Sequence, residues 1–312
     1  MSSIQSPAIG SIERRECPSH EEWVKEFLLP RTPVVFTGAL KSWRAISKWS
    51  PEYFKTRYGS MPLTVDGQNH TLAGFLPSNK EGGCLTMGEF IDLVLSSSEE
   101  NPAPYLRNVW IEKFLPELGE DLRPFPAYFY PNWLEGPFTQ PLHPRVHAGR
   151  PELYIGGRGG KFPVLHYDSW HLYTFLCQIY GEKEYTIFAP DQTPFLYLSD
   201  YHTSSISVDD IDNVDLKKFP LFAKANPIRF TLHPGEMLFV PPGWWHMVKI
   251  LTPSISISAT RVSSSNWKDF ARELRQCAPL YLQPFVWSYL TAFRFVRPLF
   301  SSDTPAGETG KE

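Results

Sequence analysis

Apolar residues recur along this chain in two rhythms, and the switches between them divide it into parts. After Ser19, the positions Trp23, Val24, Phe27 and Leu28 fall at helical spacing with Glu21 and Glu22 in the first turn, which predicts a capped helix ended by Pro30 and Pro33. Val34, Val35 and Phe36 then read as a short buried strand running into a turn at Gly38. Ser50-Pro51 opens a second helix toward Tyr58, and Met87, Phe90, Ile91 and Val94 share one face of a third over residues 86–95. A proline-rich irregular stretch follows, from about Leu122 to Pro144.

From residue 151 the period shortens. Apolar and β-branched runs at 153–156, 164–166, 172–179, 183–188, 228–232, 237–240, 245–251 and 255–260 are separated by turn residues, which predicts a barrel or jelly roll. The Ile179–Lys183 segment reads as a hairpin turn, and Pro234-Gly235 as the centre of a type II turn. After Arg261 the helical period returns, first through Trp267, Phe270, Ala271 and Leu274, then from Leu282 to Val296. That last helix is apolar nearly all round, so it needs a covering surface: its own barrel first, a second copy next, a membrane surface third. Gln283, Arg294 and Arg297 argue against a membrane span.

The expected architecture is therefore mainly β with flanking helices. An N-terminal α/β extension occupies 1–150, the β core 151–262, C-terminal helices that are candidates for homodimerisation 263–300, and a disordered polar tail 301–312. Thirty prolines and twenty glycines disfavour a helical bundle, and 42% hydrophobic residues over 312 positions supply a sizeable core. Lysine plus arginine total 30 against 33 acidic residues, so bulk attraction to nucleic acid or anionic membrane is not indicated, although a local patch remains open. Four scattered cysteines fit a reducing, intracellular protein, and the opening Met-Ser-Ser-Ile-Gln-Ser-Pro has no leader-like character, so the expected address is cytoplasmic.

Two elements carry candidate chemistry. His166 and Asp168 are two residues apart, so on an extended segment they share a face and can bind one ion. His246 follows two rigid turns in the stretch from His233 to Trp245, and taken singly it reads as a core histidine bonded to a carbonyl. Together the three make a set of two histidines and one carboxylate, which suits a ferrous ion with open positions, or zinc with a water. The H-E-x-x-H helix of many zinc hydrolases is absent. His143 and His147 flank Pro144 and read as loop residues, and Gly156-Gly157-Arg158-Gly159-Gly160 reads as a flexible loop near the entrance.

His166-x-Asp168, then Gln178-Ile179-x-Gly181-x-Lys183, then the segment from Ile211 to Ala225, then the Pro-Gly-Glu to Trp-Trp-His block stand in this order. Over roughly residues 31 to 265 that order resembles the cupin-like branch of the JmjC superfamily, with its double-stranded β-helix core. The resemblance implies an Fe(II)- and 2-oxoglutarate-dependent oxygenase that consumes dioxygen, with His166, Asp168 and His246 on the iron. It further implies that Lys183 meets the distal carboxylate of 2-oxoglutarate, and that Thr174, Tyr105 and Thr260 lie near the cosubstrate. Tyr167, Trp170 and Trp245 are candidates for lining the substrate pocket. A protein or peptide side chain is the expected substrate. An RNA nucleoside, a methyl-lysine, or a non-catalytic binding role on the same core are the alternatives.

Overall fold

The computed structural model describes residues 10–66, 69–72, 84–134, 149–209, 211–277 and 280–296. The expected polar tail, His143 and His147 lie outside these residues.

Among them the N-terminal part contributes strands β1 (Arg14–Glu16), β2 (Val34–Thr37), β3 (Pro62–Asp66), β4 (Asn69–Leu72), β5 (Cys84–Thr86) and β6 (Tyr105–Trp110). Its helices are α1 (His20–Trp23), α2 (Ala45–Lys48), α3 (Pro51–Tyr58), α4 (Met87–Ser96) and α5 (Ile111–Phe114). The caps predicted at Ser19 and Ser50 are present: Ser19 and Glu22 form a reciprocal capping box on α1, and Ser50 caps α3 with Pro51 in its first turn. Thr86, read from sequence as the first helical residue, instead caps α4 in a second box with Glu89. The helix begun by α1 continues to Leu28 as a π-helical segment, which places both Trp23 and Phe27 in the core.

The β core follows as β7 (Glu152–Gly156), β8 (Tyr173–Tyr180), β9 (Lys183–Phe188), β10 (Ile228–Leu232), β11 (Met237–Val240), β12 (Trp245–Ile250) and β13 (Ser254–Arg261). One sheet runs β1-β2-β11-β8-β13-β7-β6-β4-β3-β5, and a second runs β10-β9-β12. The chain crosses between the two sheets at β8–β9, β10–β11, β11–β12 and β12–β13, which is the winding of a double-stranded β-helix. N-terminal strands complete the larger sheet on both sides, with β2 pairing β11 and β6 pairing β7.

Two expectations need correction. The turn at Ile179–Lys183 is not a hairpin, because β8 and β9 belong to different sheets. Gly181 redirects the chain there at φ +67°, where a Cβ would lie 1.9 Å from the Pro253 carbonyl oxygen. The Gln178 amide braces the crossing by donating to the carbonyls of Tyr180 and Gly181, each at 2.8 Å. The run at 164–166 is not a strand either. It follows Pro163, which has no N–H to give to a ladder, and only His166 pairs, as an isolated bridge to His246 and to Thr203.

Strand alternation then assigns each face. Phe175, Cys177 and Ile179 of β8 and Ile255, Ile257 and Ala259 of β13 join Trp23, Phe36, Phe90 and Phe129 in a core between the large sheet and the N-terminal helices. The opposite faces of the same strands turn Thr174, Leu176, Ser256 and Ser258 into the space between the sheets. After β13, α6 (Trp267–Cys277) buries Trp267, Phe270, Ala271 and Leu274 against Trp133 and Leu172, and α7 (Gln283–Val296) adds Leu290 and Phe293. Phe285, Trp287 and Phe295 on α7 remain exposed. No helix among the described residues is long and apolar enough to cross a membrane.

Candidate metal and cosubstrate site

Between the sheets lies a cavity of about 240 Å³ with two chemically distinct ends. At one end are His166, Asp168 and His246, whose ligand atoms all lie within 4.8 Å of one another. The His166–His246 bridge sets this distance: each backbone N–H donates to the other's carbonyl, at 3.2 and 2.7 Å. Each imidazole donates from Nδ1 to a carbonyl two residues earlier, His166 to Val164 at 3.0 Å and His246 to Trp244 at 3.2 Å. A carbonyl can only accept, so both rings are fixed in the tautomer that leaves Nε2 as a free lone pair. Burial, followed by the neighbouring His246, holds His166 well below the ordinary histidine range, so it stays neutral and able to ligate. Thr174 Oγ1 donates to Asp168 Oδ2, which orients the carboxylate.

The Asp168 loop is braced from a distance. Trp170 and His171 both have left-handed backbones, φ +57° and +49°, a conformation that costs roughly 1–2 kcal/mol per non-glycine residue. The C-terminal helix supplies the compensation. Glu273 on α6 contacts His171 Nδ1 at 2.8 Å, and Asn266 Nδ2 donates to the His171 carbonyl at 2.9 Å.

At the other end Lys183 is 1% exposed. Its ammonium donates to Tyr105 Oη at 2.8 Å and Ser256 Oγ at 2.5 Å, and lies over the Tyr105 ring at 5.2 Å. No carboxylate pairs with it among the described residues. Burying an unpaired ion costs several kcal/mol, whereas hydrogen bonds to a charged group return only about 1.5–3 kcal/mol each. Desolvation accordingly pulls the Lys183 pKa down to about 7. This end of the cavity is thus built for an anion, and a dicarboxylate reaching toward the metal ligands fits the donors present.

The sequence-predicted residues divide between the cavity and its surroundings. Lys183, Tyr105 and Thr174 line the cavity with the three metal-ligating side chains. Thr260 does not line it: it pairs with Thr174 across the ladder, and its hydroxyl accepts from Gly149 N at 3.1 Å. Tyr167 and Trp245 each lie one residue from a ligand and so point the opposite way, packing ring against ring at 5.0 Å in a separate hydrophobic cluster. Trp170 is carried by its left-handed backbone onto the α6–α7 cluster. The Gly156–Gly160 loop is a close-packed connection, since a Cβ at Gly157 would lie 2.3 Å from Ser97 Oγ and Gly159 N–H donates to the Ile250 carbonyl.

Other lining residues escaped the sequence reading. Ser256 and Ser258 were signalled by the strict Ser-Ile-Ser-Ile-Ser alternation of β13. His202 reaches the cavity from a loop fastened to the His166 segment, Tyr167 N–H donating to the His202 carbonyl at 3.1 Å, and its Nδ1 is buried without a partner. Asn108, Tyr154 and Phe162 form the rim. Asn108 Nδ2 donates to Tyr154 Oη at 2.7 Å and to Glu152 at 3.0 Å, while burial raises the Glu152 carboxyl.

Comparison with known proteins adds a family and its relatives. A family model described as a cupin-like domain matches residues 19–263. Lysine-specific demethylase 8 of Xenopus tropicalis is 30% identical over 256 residues, covering 80% of this chain and 52% of that protein. Lysine-specific demethylase JMJ30 of Arabidopsis thaliana is 29% identical over 251 residues, 79% of this chain and 54% of that protein. tRNA wybutosine-synthesizing protein 5 of Gallus gallus is 28% identical over 264 residues, 79% of this chain and 73% of that protein. The chain thus spans about half the length of the first two relatives.

Proposed function

The chain belongs to the cupin-like, JmjC-type domain family, and from that premise we propose that it is an Fe(II)- and 2-oxoglutarate-dependent oxygenase that hydroxylates a side chain of a protein or peptide. The observation that carries this reading is the pairing of ends in one cavity: three convergent metal ligands face a buried lysine that lacks an anion among the described residues.

His166, Asp168 and His246 would hold the iron, and Lys183, Tyr105 and Ser256 the distal carboxylate of 2-oxoglutarate. When bound, iron and cosubstrate supply the oxidising power: dioxygen is consumed, 2-oxoglutarate leaves as succinate and carbon dioxide, and one oxygen atom enters a substrate C–H bond. The protein's own part is positional. The Nδ1–carbonyl bonds hold both imidazoles in the ligating tautomer, Thr174 aims Asp168, and Leu176, Tyr185 and Val248 keep the wall between the two ends largely dry.

A nucleoside substrate is the second reading. It is favoured by the tRNA wybutosine-synthesizing protein, the relative above whose own length this chain covers most fully, and disfavoured by a formal charge of -3. The test is incubation with Fe(II), ascorbate and 2-oxoglutarate against a peptide library and a total tRNA pool, with succinate and mass shifts as readouts. A gain of one oxygen in peptides is expected. Oxidation confined to tRNA, or loss of methyl groups from methyl-lysine peptides, would replace the substrate assignment. No succinate under any condition would end the enzymatic reading.

A further inference from the structure

At the cavity rim the ladder between β6 and β7 breaks register. Leu106 pairs with Ile155, but Val109 pairs with Leu153, so Arg107 and Asn108 together oppose the single residue Tyr154. This is a β-bulge, a device that turns a side chain away from its regular direction. It is strained as well, since Asn108 has φ +55°.

The bulge delivers two side chains to different tasks. Asn108, on the exposed edge of the rim, is spent on Tyr154 and Glu152. Arg107 is half-buried and stacks its guanidinium on Phe162 at 4.6 Å, while Phe162 stacks on the metal-ligating His166 at 4.5 Å and 22°. The guanidinium is thus set one aromatic layer from the reacting centre. Its neighbours on the loop after β7 and on β12 each have a carboxylate partner: Lys161 pairs with Asp209 at 3.0 Å, while Lys249 at 2.8 Å and Arg158 at 3.8 Å share the one carboxylate of Glu99. Arg107 has no carboxylate partner among the described residues and keeps its donor fork for a ligand.

We infer that this bulge reads the substrate: Arg107 selects peptides that carry an acidic side chain close to the residue being oxidised. The inference rests on the peptide hydroxylase reading above. A single fork stacked on the Phe162 ring matches one carboxylate, bidentate and partly desolvated. A polyanionic RNA backbone would call for several free cations, and the neighbouring ones are already paired.

The test uses the full chain with Fe(II) and 2-oxoglutarate on a proteome-derived peptide library, with a total tRNA pool in parallel. Wild-type products are expected to be enriched in Asp or Glu within a few positions of the added oxygen. Arg107→Glu is expected to lower oxidation of those peptides about tenfold and to shift the enrichment toward Lys and Arg, a gain that misfolding cannot produce. Arg107→Lys, which keeps the charge and loses the fork, is expected to retain the acidic preference in weaker form. Oxidised peptides with no acidic enrichment, or the same enrichment in wild type and Arg107→Glu, overturn this inference alone. Oxygen appearing only in tRNA, or in neither pool, overturns the peptide hydroxylase reading and this inference with it.

Discussion

The two ends of the cavity are built by opposite strategies. The lysine end is made by strands: Lys183 opens β9 of the smaller sheet and reaches across to Ser256 within β13 and Tyr105 at the start of β6, both on the larger sheet, so the packing of two facing sheets sets the distances among them. The metal end is made largely by loops. His166 lies on an isolated bridge, Asp168 precedes two left-handed residues, and only His246 belongs to a strand. The lesson is that the lysine end rests on the regular sheets of the β core, whereas the metal end draws on bracing by α6, about 100 residues further along the chain by the separation of His171 and Glu273.

The largest expected effect falls on the metal end. His166→Ala or Asp168→Ala should abolish metal binding and substrate-dependent turnover together, because two remaining ligands cannot hold the ion in place. Calorimetry with Mn(II) measures the first and succinate release the second. Wild-type turnover by an iron-reloaded His166→Ala protein would refute the ligand assignment.

Next comes the lysine end. Lys183→Met should weaken 2-oxoglutarate by about a hundredfold, the scale of losing one member of a buried ion pair, while leaving Mn(II) affinity near wild type. The sign of the pH effect follows from the depressed pKa. In the ligand-free protein Lys183 loses its proton above about pH 7, so 2-oxoglutarate affinity should hold at lower pH and fall as pH rises past 7, with a proton taken up on binding at pH 8. Calorimetry in buffers of different ionisation enthalpy reads that proton, and Lys183→Met should remove it. The ligand-free fold behaves the other way. An unfolded lysine near 10.5 binds more protons than the native one, so this residue's penalty on stability eases as pH rises from about 7 toward 10.5.

The smallest effect sharpens the contrast. Glu273→Ala removes the carboxylate that contacts His171 and should weaken Mn(II) binding about tenfold, with 2-oxoglutarate affinity falling only as far as the metal does. A merely structural role would lower the melting temperature without changing metal affinity in the folded protein. That result would show that the Asp168 loop keeps its shape unaided.

Much of this was legible in one dimension. Ser19 and Ser50 announced their helices because capping is local, and seven of the eight short β runs became strands because alternation reports burial. Of the cavity, the H-x-D pair, His246 and the lysine two residues after Gly181 were readable as motifs. Motifs do not carry side-chain direction: alternation turns Trp245 away from the cavity and Ser256 and Ser258 into it, while a left-handed backbone carries Trp170 onto the helices that follow β13.

What the sequence determined by itself was the main helices, most strands of the β core and their order, and the residue types able to bind an ion and an anion, while the short strands β1 and β3 to β6 left no such mark. Which strands pair, that the turn at Gly181 crosses between sheets, that a bulge aims Arg107, and that α6 braces the Asp168 loop were decided only in three dimensions. The physical reason is range. Caps, turns and alternation act over a few residues, while a metal site and its substrate rim are made by groups tens to hundreds of positions apart, brought together only when the barrel closes.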